Sequence, residues 1–280
     1  MTFPLRQPLA SPVMTPSQPT TSDLVPAPIE FTGDPAVDTA LRDLIDIDRD
    51  VRQAAALELG TLAVSATAPA LVAQLWSERD FFVRDTISWA AARVADAAVP
   101  LLLDALDSTD PASRVQSLHV LSKIADPSTL DAILPLADDS NSDVAAKARW
   151  ALTRIGDPRT IPILTRHLGT GDDSRWNSLT RELATFGEAA VPALTAALSD
   201  AAPTVRRHAA EVLCFVGPAA EAAMNALATA LDDADADVRT SAAMALFDLD
   251  TPSTRAILAR QVESRDPRLR AIAKRVRTDA

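Results

Sequence analysis

Residues 50–62 read DVRQAAALELGTL, and residues 82–94, 143–155 and 237–249 read FVRDTISWAAARV, DVAAKARWALTRI and DVRTSAAMALFDL. Within each, small and aliphatic residues recur three and four apart, so one side of an α-helix is apolar. Four further blocks carry the same pattern: ASRVQSLHVLSKI at 112–124, SRWNSLTRELATF at 174–186, TVRRHAAEVLCFV at 204–216 and RLRAIAKRVRTDA at 268–280. Aligned on their second residue, the blocks start at 51, 83, 113, 144, 175, 205, 238 and 269, in steps of 30 to 33 residues. A period of that size, kept along a chain, marks an array of supersecondary units rather than one closed core.

Ahead of these blocks lie shorter apolar runs such as APALVAQLW, VPLLLDALD, IPILTRHLG and VPALTAALS. Each has a proline in its first turn, where the missing N–H costs no hydrogen bond. The intervening turns hold Asp, Ser, Asn and Pro, residues that cap helix starts and close the preceding helix. Each unit is therefore a helical hairpin, too short to bury its own apolar face, and the units must stack. The expected fold is all-α: an α-solenoid of about eight hairpins over residues 34–280. Residues 1–33 are expected to form a disordered Pro-rich tail, because seven prolines fall between positions 4 and 28 among Ser, Thr and Gln, with little apolar surface to bury.

The bulk composition narrows the function classes. Apolar residues make up 48% of the 280, but aromatics only 4%, which favours small-residue helices in close approach over a thick β-sandwich core. A net charge of −11 argues against a general nucleic-acid binder, which needs a basic field. Cys214 is the single cysteine, so neither a disulfide framework nor a cysteine-built metal site can form, and it is expected to be a packed small residue. His119, His167 and His208 fall in three different units and share no metal site. One basic residue, Arg6, precedes position 23, and no run approaches the roughly 18 apolar residues of a membrane span. A soluble cytoplasmic protein without cofactor is the expectation.

The D-V-R…A-A-x-A-L-G-x-I pattern, clearest in DVRQAAALELGTL, together with IGDPRTIPIL at 155–164, resembles the HEAT repeat family, specifically the short bacterial form related to the bilin-lyase HEAT-like repeats. The resemblance covers residues 34–280. It implies an α-solenoid whose second helices line a concave surface. It also implies membership in a family made mostly of scaffolds and adaptors, with a minority of enzymes and tetrapyrrole-handling lyases.

The second helices can be read face by face, taking the start of each register as position zero and turning about 100° per residue. Positions 0, 4, 8 and 11 then form a core stripe, held in the first unit by Val51, Ala55, Leu59 and Leu62. Position 6 lies on the opposite side and holds, down the stack, Leu57, Trp89, His119, Trp150, Arg181, Glu211, Met244 and Arg275. Position 10 adds Arg93, Lys123 and Arg154, and Lys147 extends the same surface. In KARWALTRIGDP, residues 147–158, Trp150 thus points away from every apolar neighbour, as a contact residue would. Position 1 carries Arg52, Arg84, Arg114, Arg206, Arg239 and Arg270, expected to pair with Asp and backbone carbonyls of adjacent turns. The series is broken by Ala145 and by Trp176, a third Trp in the area of the patch.

These features point to a non-enzymatic protein–protein interaction scaffold. It would hold an acidic or mixed partner segment through Trp89, Arg93, His119, Lys123, Lys147, Trp150, Arg154, Trp176 and Arg181, without metal. The resemblance implies an alternative, a planar anionic ligand such as a tetrapyrrole clamped between Trp89 and Trp150 with His119 as axial ligand or proton donor. A third reading, from HEAT-like DNA glycosylases, is disfavoured by the net charge and by Arg93 and Arg154 standing one turn from the tryptophans where carboxylates would be needed. The stretch HLGTGDDSRW, residues 167–176, has no strand before it to make a phosphate loop and is expected to be a flexible turn, with Asp172 and Asp173 as weak calcium candidates. From Thr251 on, eight Lys or Arg face three acids, a polar unit suited to ending the stack.

Overall fold

The computed structural model describes residues 29–276, and among these every regular element is helical. Helices α1 (Pro35–Asp43) and α2 (Arg49–Leu62) make the first hairpin, α3 (Ala68–Ser77) and α4 (Phe81–Arg93) the second, α5 (Ala95–Asp104) and α6 (Pro111–Ile124) the third. There follow α7 (Leu130–Ile133) with α8 (Ser142–Ile155), α9 (Ile161–Thr165) with α10 (Asp173–Ala184), and α11 (Val191–Ala197) with α12 (Pro203–Val216). The last two pairs are α13 (Met224–Ala230) with α14 (Ala236–Leu249), and α15 (Pro252–Ala259) with α16 (Pro267–Ala273). Short 3-10 turns link many of them.

The helix ends follow from local chemistry. Asp80, Asp110, Asn141 and Asp235 sit just before α4, α6, α8 and α14, and their side chains accept from the first free backbone N–H groups. At the other end, α8 closes on Gly156 in the left-handed region (φ 75°), whose N–H returns to the Leu152 carbonyl. The same closure ends α2 at Ala63 and α6 at Ala125, with φ of 49° and 54°, where a Cβ makes the conformation more costly.

Even-numbered helices stack on one another in one layer and odd-numbered helices in a second, with the apolar core between them. Positions 4 and 8 are buried along the stack, as Ala55 and Leu59, Ile87 and Ala91, and Ala148 and Leu152 show. Positions 5 and 7 are mostly buried too in the interior repeats, which a single-stripe reading misses: an even-numbered helix there has a neighbour on each flank as well as one beneath it, whereas Glu58 of α2 and Lys274 of α16, at the ends of the stack, are exposed. Residues 29–33, assigned by composition to the tail, pack on the first hairpin. Ile29 lies against the core, Thr32 and Gly33 donate backbone N–H groups to Asp38, and Arg42 sits 4.8 Å over the Phe31 ring. The rest of the expected tail lies outside the described residues.

The position-1 arginines form a ladder along the turns. Arg52 donates to Glu78 of the next repeat at 2.7 and 3.0 Å and to the carbonyls of Asp46 and Ile47 in its own. Arg206 does the same with Asp233 at 2.7 and 2.8 Å, and Arg239 with Asp266 at 3.0 and 2.6 Å. Each rung ties one turn to the next through charge-assisted, two-pronged hydrogen bonds. Burial pushes the Glu78 carboxyl up, but the Arg52 guanidinium and the Asp80 N–H outweigh it and hold the group below its usual range.

One stretch, Pro203–Ala230, is long and apolar enough among the described residues to suit a membrane crossing, but it bends through Gly217, and Val212, Leu213 and Leu227 within it belong to the solenoid core.

Candidate functional site

The free face of the even-numbered layer is built by α4, α6 and α8. These helices are amphipathic in the same register, so whatever stands at position 6 is turned away from the core. Trp89 and Trp150 remain 37% and 46% exposed. Their environments differ. Trp89 lies across the backbone of α2 at Gly60, where a Cβ would overlap its six-membered ring. Gly60 is thus the socket for a Trp from the next repeat, which accounts for a glycine in the interior of a helix. The cation–π contacts of the described residues lie elsewhere, on Phe31, Phe82, Trp176 and Phe247.

Between the two tryptophans, α6 presents His119 and Lys123. Lys123 donates its Nζ to Asp85 at 2.7 Å, and His119 Nε2 stands 3.3 Å from the same carboxylate oxygen. Asp85 is one turn before Trp89 on α4, a carboxylate on this face that the reading of positions 3, 6 and 10 passed over. Burial raises the Asp85 carboxyl, but the Lys123 ammonium and His119 together hold it below its usual range. His119 is pushed down by burial and by the charges of Lys147 and Lys123, more than Asp85 can offset, so it stays neutral at physiological pH.

Lys147 completes the group from α8, one turn before Trp150. It is half-buried, and burial followed by repulsion from Lys123 lowers its pKa. Among the described residues no carboxylate lies within ion-pair distance of Lys147, and Asp85 beside Lys123 is taken by Lys123 and His119. Arg93, Arg154 and Arg181 are exposed around this centre. The structure therefore brings Asp85, His119, Lys123 and Lys147 into one electrostatic cluster, flanked along the stack by Trp89 and Trp150.

Trp176 belongs to a different cluster. Its ring stacks on His208 of α12 at 3.8 Å and 8°, its Nε1 donates to Glu211 at 2.6 Å, and Arg207 lies 5.2 Å above it. His208 is fully buried, with Nδ1 accepting from the Gly169 N–H at 3.0 Å and Nε2 2.9 Å from the Thr180 hydroxyl. The 167–176 stretch, expected to be a flexible turn, is thereby pinned to α12, and Asp172 serves as the N-cap of α10. The signal was present in the sequence: position 1 faces the next repeat, so a Trp in place of its Arg must find its partners there. Cys214 is half-buried, with its thiol 3.1 Å from an Asp248 oxygen. Among the described residues no three His, Cys, Asp or Glu side chains converge as metal ligands would.

The family model described as HEAT repeats matches residues 99–184, 175–246 and 191–276. Among solved structures, Kap95p, in a complex concerned with the switch loops of RanGDP, aligns over 85% of this chain and 39% of its own at a TM-score of 0.56 and 11% identity. Kap121p bound to Pho4p aligns over 86% of this chain and 33% of its own, at 0.53 and 16%. The CpcE–CpcF complex of phycocyanin lyase from Nostoc sp. PCC7120 aligns over 91% and 99% at 19% identity and a TM-score of 0.42. The two karyopherins share the helical-solenoid fold with this chain, at identities that carry nothing beyond the fold. No curated protein sequence matches it.

Proposed function

This chain belongs to the HEAT repeat family, and on that footing we propose that it is a non-enzymatic intracellular adaptor that holds a partner protein segment on the free face of repeats 2 to 5. What carries the reading is Trp150, 46% exposed, one turn from a half-buried Lys147 that pairs with no carboxylate among the described residues. An exposed Trp beside an ammonium of this kind suits a segment that offers an apolar side chain and a carboxylate together. Trp and Arg dominate the energetics of such contacts, and Arg154, one turn after Trp150, is exposed, as are Arg93 and Arg181 on other repeats of the same face. The karyopherin structures bind protein on the same fold, which is the kind of partner proposed here.

Binding of fluorescent peptides that alternate Asp or Glu with Leu or Phe, measured by anisotropy, tests this. The wild type should bind them and reject versions with Lys in place of the acids. Trp150→Ala should weaken binding about tenfold or more, the loss of a single hot-spot side chain. Equal binding by wild type and a Trp89→Ala, Trp150→Ala double variant of unchanged thermal stability would refute the reading. A second reading rests on the neutral His119 between two exposed indoles, an arrangement that would suit a planar anionic ligand. A shift in the absorbance of added bilin, lost in His119→Gln, would put that reading first.

A further inference from the structure

The solenoid's apolar core is not continuous. Buried apolar residues form one cluster from Val37 to Leu152 and another from Ile161 to Ile272, so the even-numbered layer is divided between α8 and α10. The residues at the division explain it. In the other interior repeats position 5 holds Ser88, Leu118, Thr180, Ala210 or Ala243 and position 7 holds Ala90, Val120, Ala151, Val212 or Ala245, all uncharged and buried; the charged Glu58 and Lys274 at these positions lie at the ends of the stack. At the α8/α10 seam these two positions hold Arg149 and Glu182. Glu182 is only 9% exposed, and no cation lies within ion-pair distance of its carboxylate among the described residues. Arg149 is turned to the carbonyl of Ala137, 2.7 Å away, within its own repeat. Two facing charges in a buried seam that do not close on each other hold neither an apolar contact nor an ion pair.

A further connection is missing at the same place. The ladder rung from repeat 4 to repeat 5 is absent, because position 1 of α8 is Ala145 instead of Arg. On the far side, His208 and Gly169 fasten the α9–α10 loop to α12, which makes α10 part of the C-terminal stack. In the even-numbered layer α8 and α10 touch more thinly than any other successive pair, and most of what crosses the division is in the odd-numbered layer. Ile163 of α9 packs on the N-terminal cluster, and Arg166 and His167 reach Asp138 at 2.7 and 3.0 Å on the surface.

We infer that the solenoid is two stiff arms, residues 29–157 and 158–276, joined by a hinge that runs through the odd-numbered layer and opens at the Arg149–Glu182 seam. The arms carry different parts of the candidate face: Trp89, His119, Lys123, Lys147 and Trp150 ride on the first, Arg181 on the second. Rotation about the joint changes the reach from Trp150 to Arg181 while leaving the cluster around Asp85 intact. The inference stands on packing and does not depend on what the face binds.

Pulsed dipolar spectroscopy on the full chain tests it. In a Cys214→Ser background, spin labels are placed at exposed sites in three pairs: Glu58→Cys with Asn225→Cys across the seam, Glu58→Cys with Ala132→Cys within the first arm, and Glu188→Cys with Ser253→Cys within the second. The cross-seam distance distribution should be at least twice as wide as either within-arm distribution. Filling the seam with Arg149→Leu, Glu182→Leu should narrow it to the within-arm width. Equal widths for all three wild-type pairs would overturn the joint, and this comparison needs no seam variant to fold. A wide cross-seam distribution unchanged by the filled seam would place the compliance elsewhere and overturn the assignment to Arg149 and Glu182.

Discussion

Replacing Glu182 by Gln should stabilise the protein, and only above the pH at which the carboxyl ionises. Burial raises this group from the ordinary 4.5 to about 6, with Arg149 and Arg181 offsetting part of the effect. The folded protein thus holds the proton more tightly than the unfolded chain. The sign follows: the carboxyl is no burden at low pH, and stability is lost as pH rises from the unfolded value through the folded one. At about 1.36 kcal/mol per pH unit, the full cost of the buried charge is about 2 kcal/mol at neutral pH. Glu182→Gln removes the charge and keeps the shape. In urea titrations the variant should therefore exceed the wild type by about 2 kcal/mol at pH 7.5, and by less than about 0.5 kcal/mol at pH 4.5, where the folded carboxyl is already protonated. Other titrating groups, His208 among them, are shared by both proteins and cancel in the difference. A gain of the same size at both pH values would mean that the amide simply packs better. A loss at pH 7.5 would mean that Arg149 and Glu182 stabilise each other in solution, and either result would refute the reasoning.

Burial pushes His208 from the ordinary 6.5 down to about 4, so its stabilising contribution is complete above 6.5 and disappears as pH falls toward 4, by about 3 kcal/mol. NMR titration of its ring should show no protonation at pH 5.5, and an ordinary imidazole midpoint would contradict the burial argument. Gly60→Ala should displace the Trp89 ring, costing about 1–3 kcal/mol as overpacking does, with a red shift in Trp emission that is absent when Trp89→Phe is already present. Ala63→Gly and Ala125→Gly relieve left-handed alanines at the ends of α2 and α6 and should each add up to about 1 kcal/mol in thermal or urea unfolding. Arg206→Met should cost about 1–3 kcal/mol through the lost Asp233 hydrogen bonds, whereas the same change at the more exposed Arg154 should leave stability within about 0.5 kcal/mol.

Much of this was legible in the chain because a repeat is its own alignment. The period alone pointed to the hairpins, the core positions 4 and 8, the arginine ladder and the outward turn of Trp150; of the other two expected core positions in the first unit, Val51 is half-buried and Leu62 is 37% exposed, because α2 is the end of its layer. What was lost came from treating each second helix as if it had one buried side. A helix inside a stack is flanked twice, so positions 5 and 7 are core as well, and Arg149 and Glu182 went unnoticed as intrusions. The same simplification put Trp176 with the other tryptophans, although position 1 directs it to α12 and His208. Asp85 was overlooked because position 6 was read down the stack while position 2, on the same side of α4, was not. Gly60 could be located but not explained without the ring above it.

The departures from the repeat pattern are not scattered. Ala145, Arg149 and Trp150 on α8, and Trp176 and Glu182 on α10, all fall in two consecutive helices of the even-numbered layer, while the repeats on either side keep the apolar filling and, at Arg52, Arg206 and Arg239, the ladder. Any one of them could be drift on a tolerant scaffold. Ala145, Arg149 and Glu182 thin the lateral contacts between α8 and α10, while Trp150 stands exposed at the edge of the gap and Trp176 turns to α12. A sequence whose other interior repeats keep uncharged residues at these flanks, and which departs from them at one joint, gives up stability there. The approximately 2 kcal/mol expected from Glu182→Gln is one measure of that sacrifice. A stack selected for stiffness alone would carry uncharged residues at these two positions, as its other interior repeats do. Arg149 adjoins Trp150 and Glu182 adjoins Arg181 along the chain, so the proposed joint lies directly beside the proposed binding face.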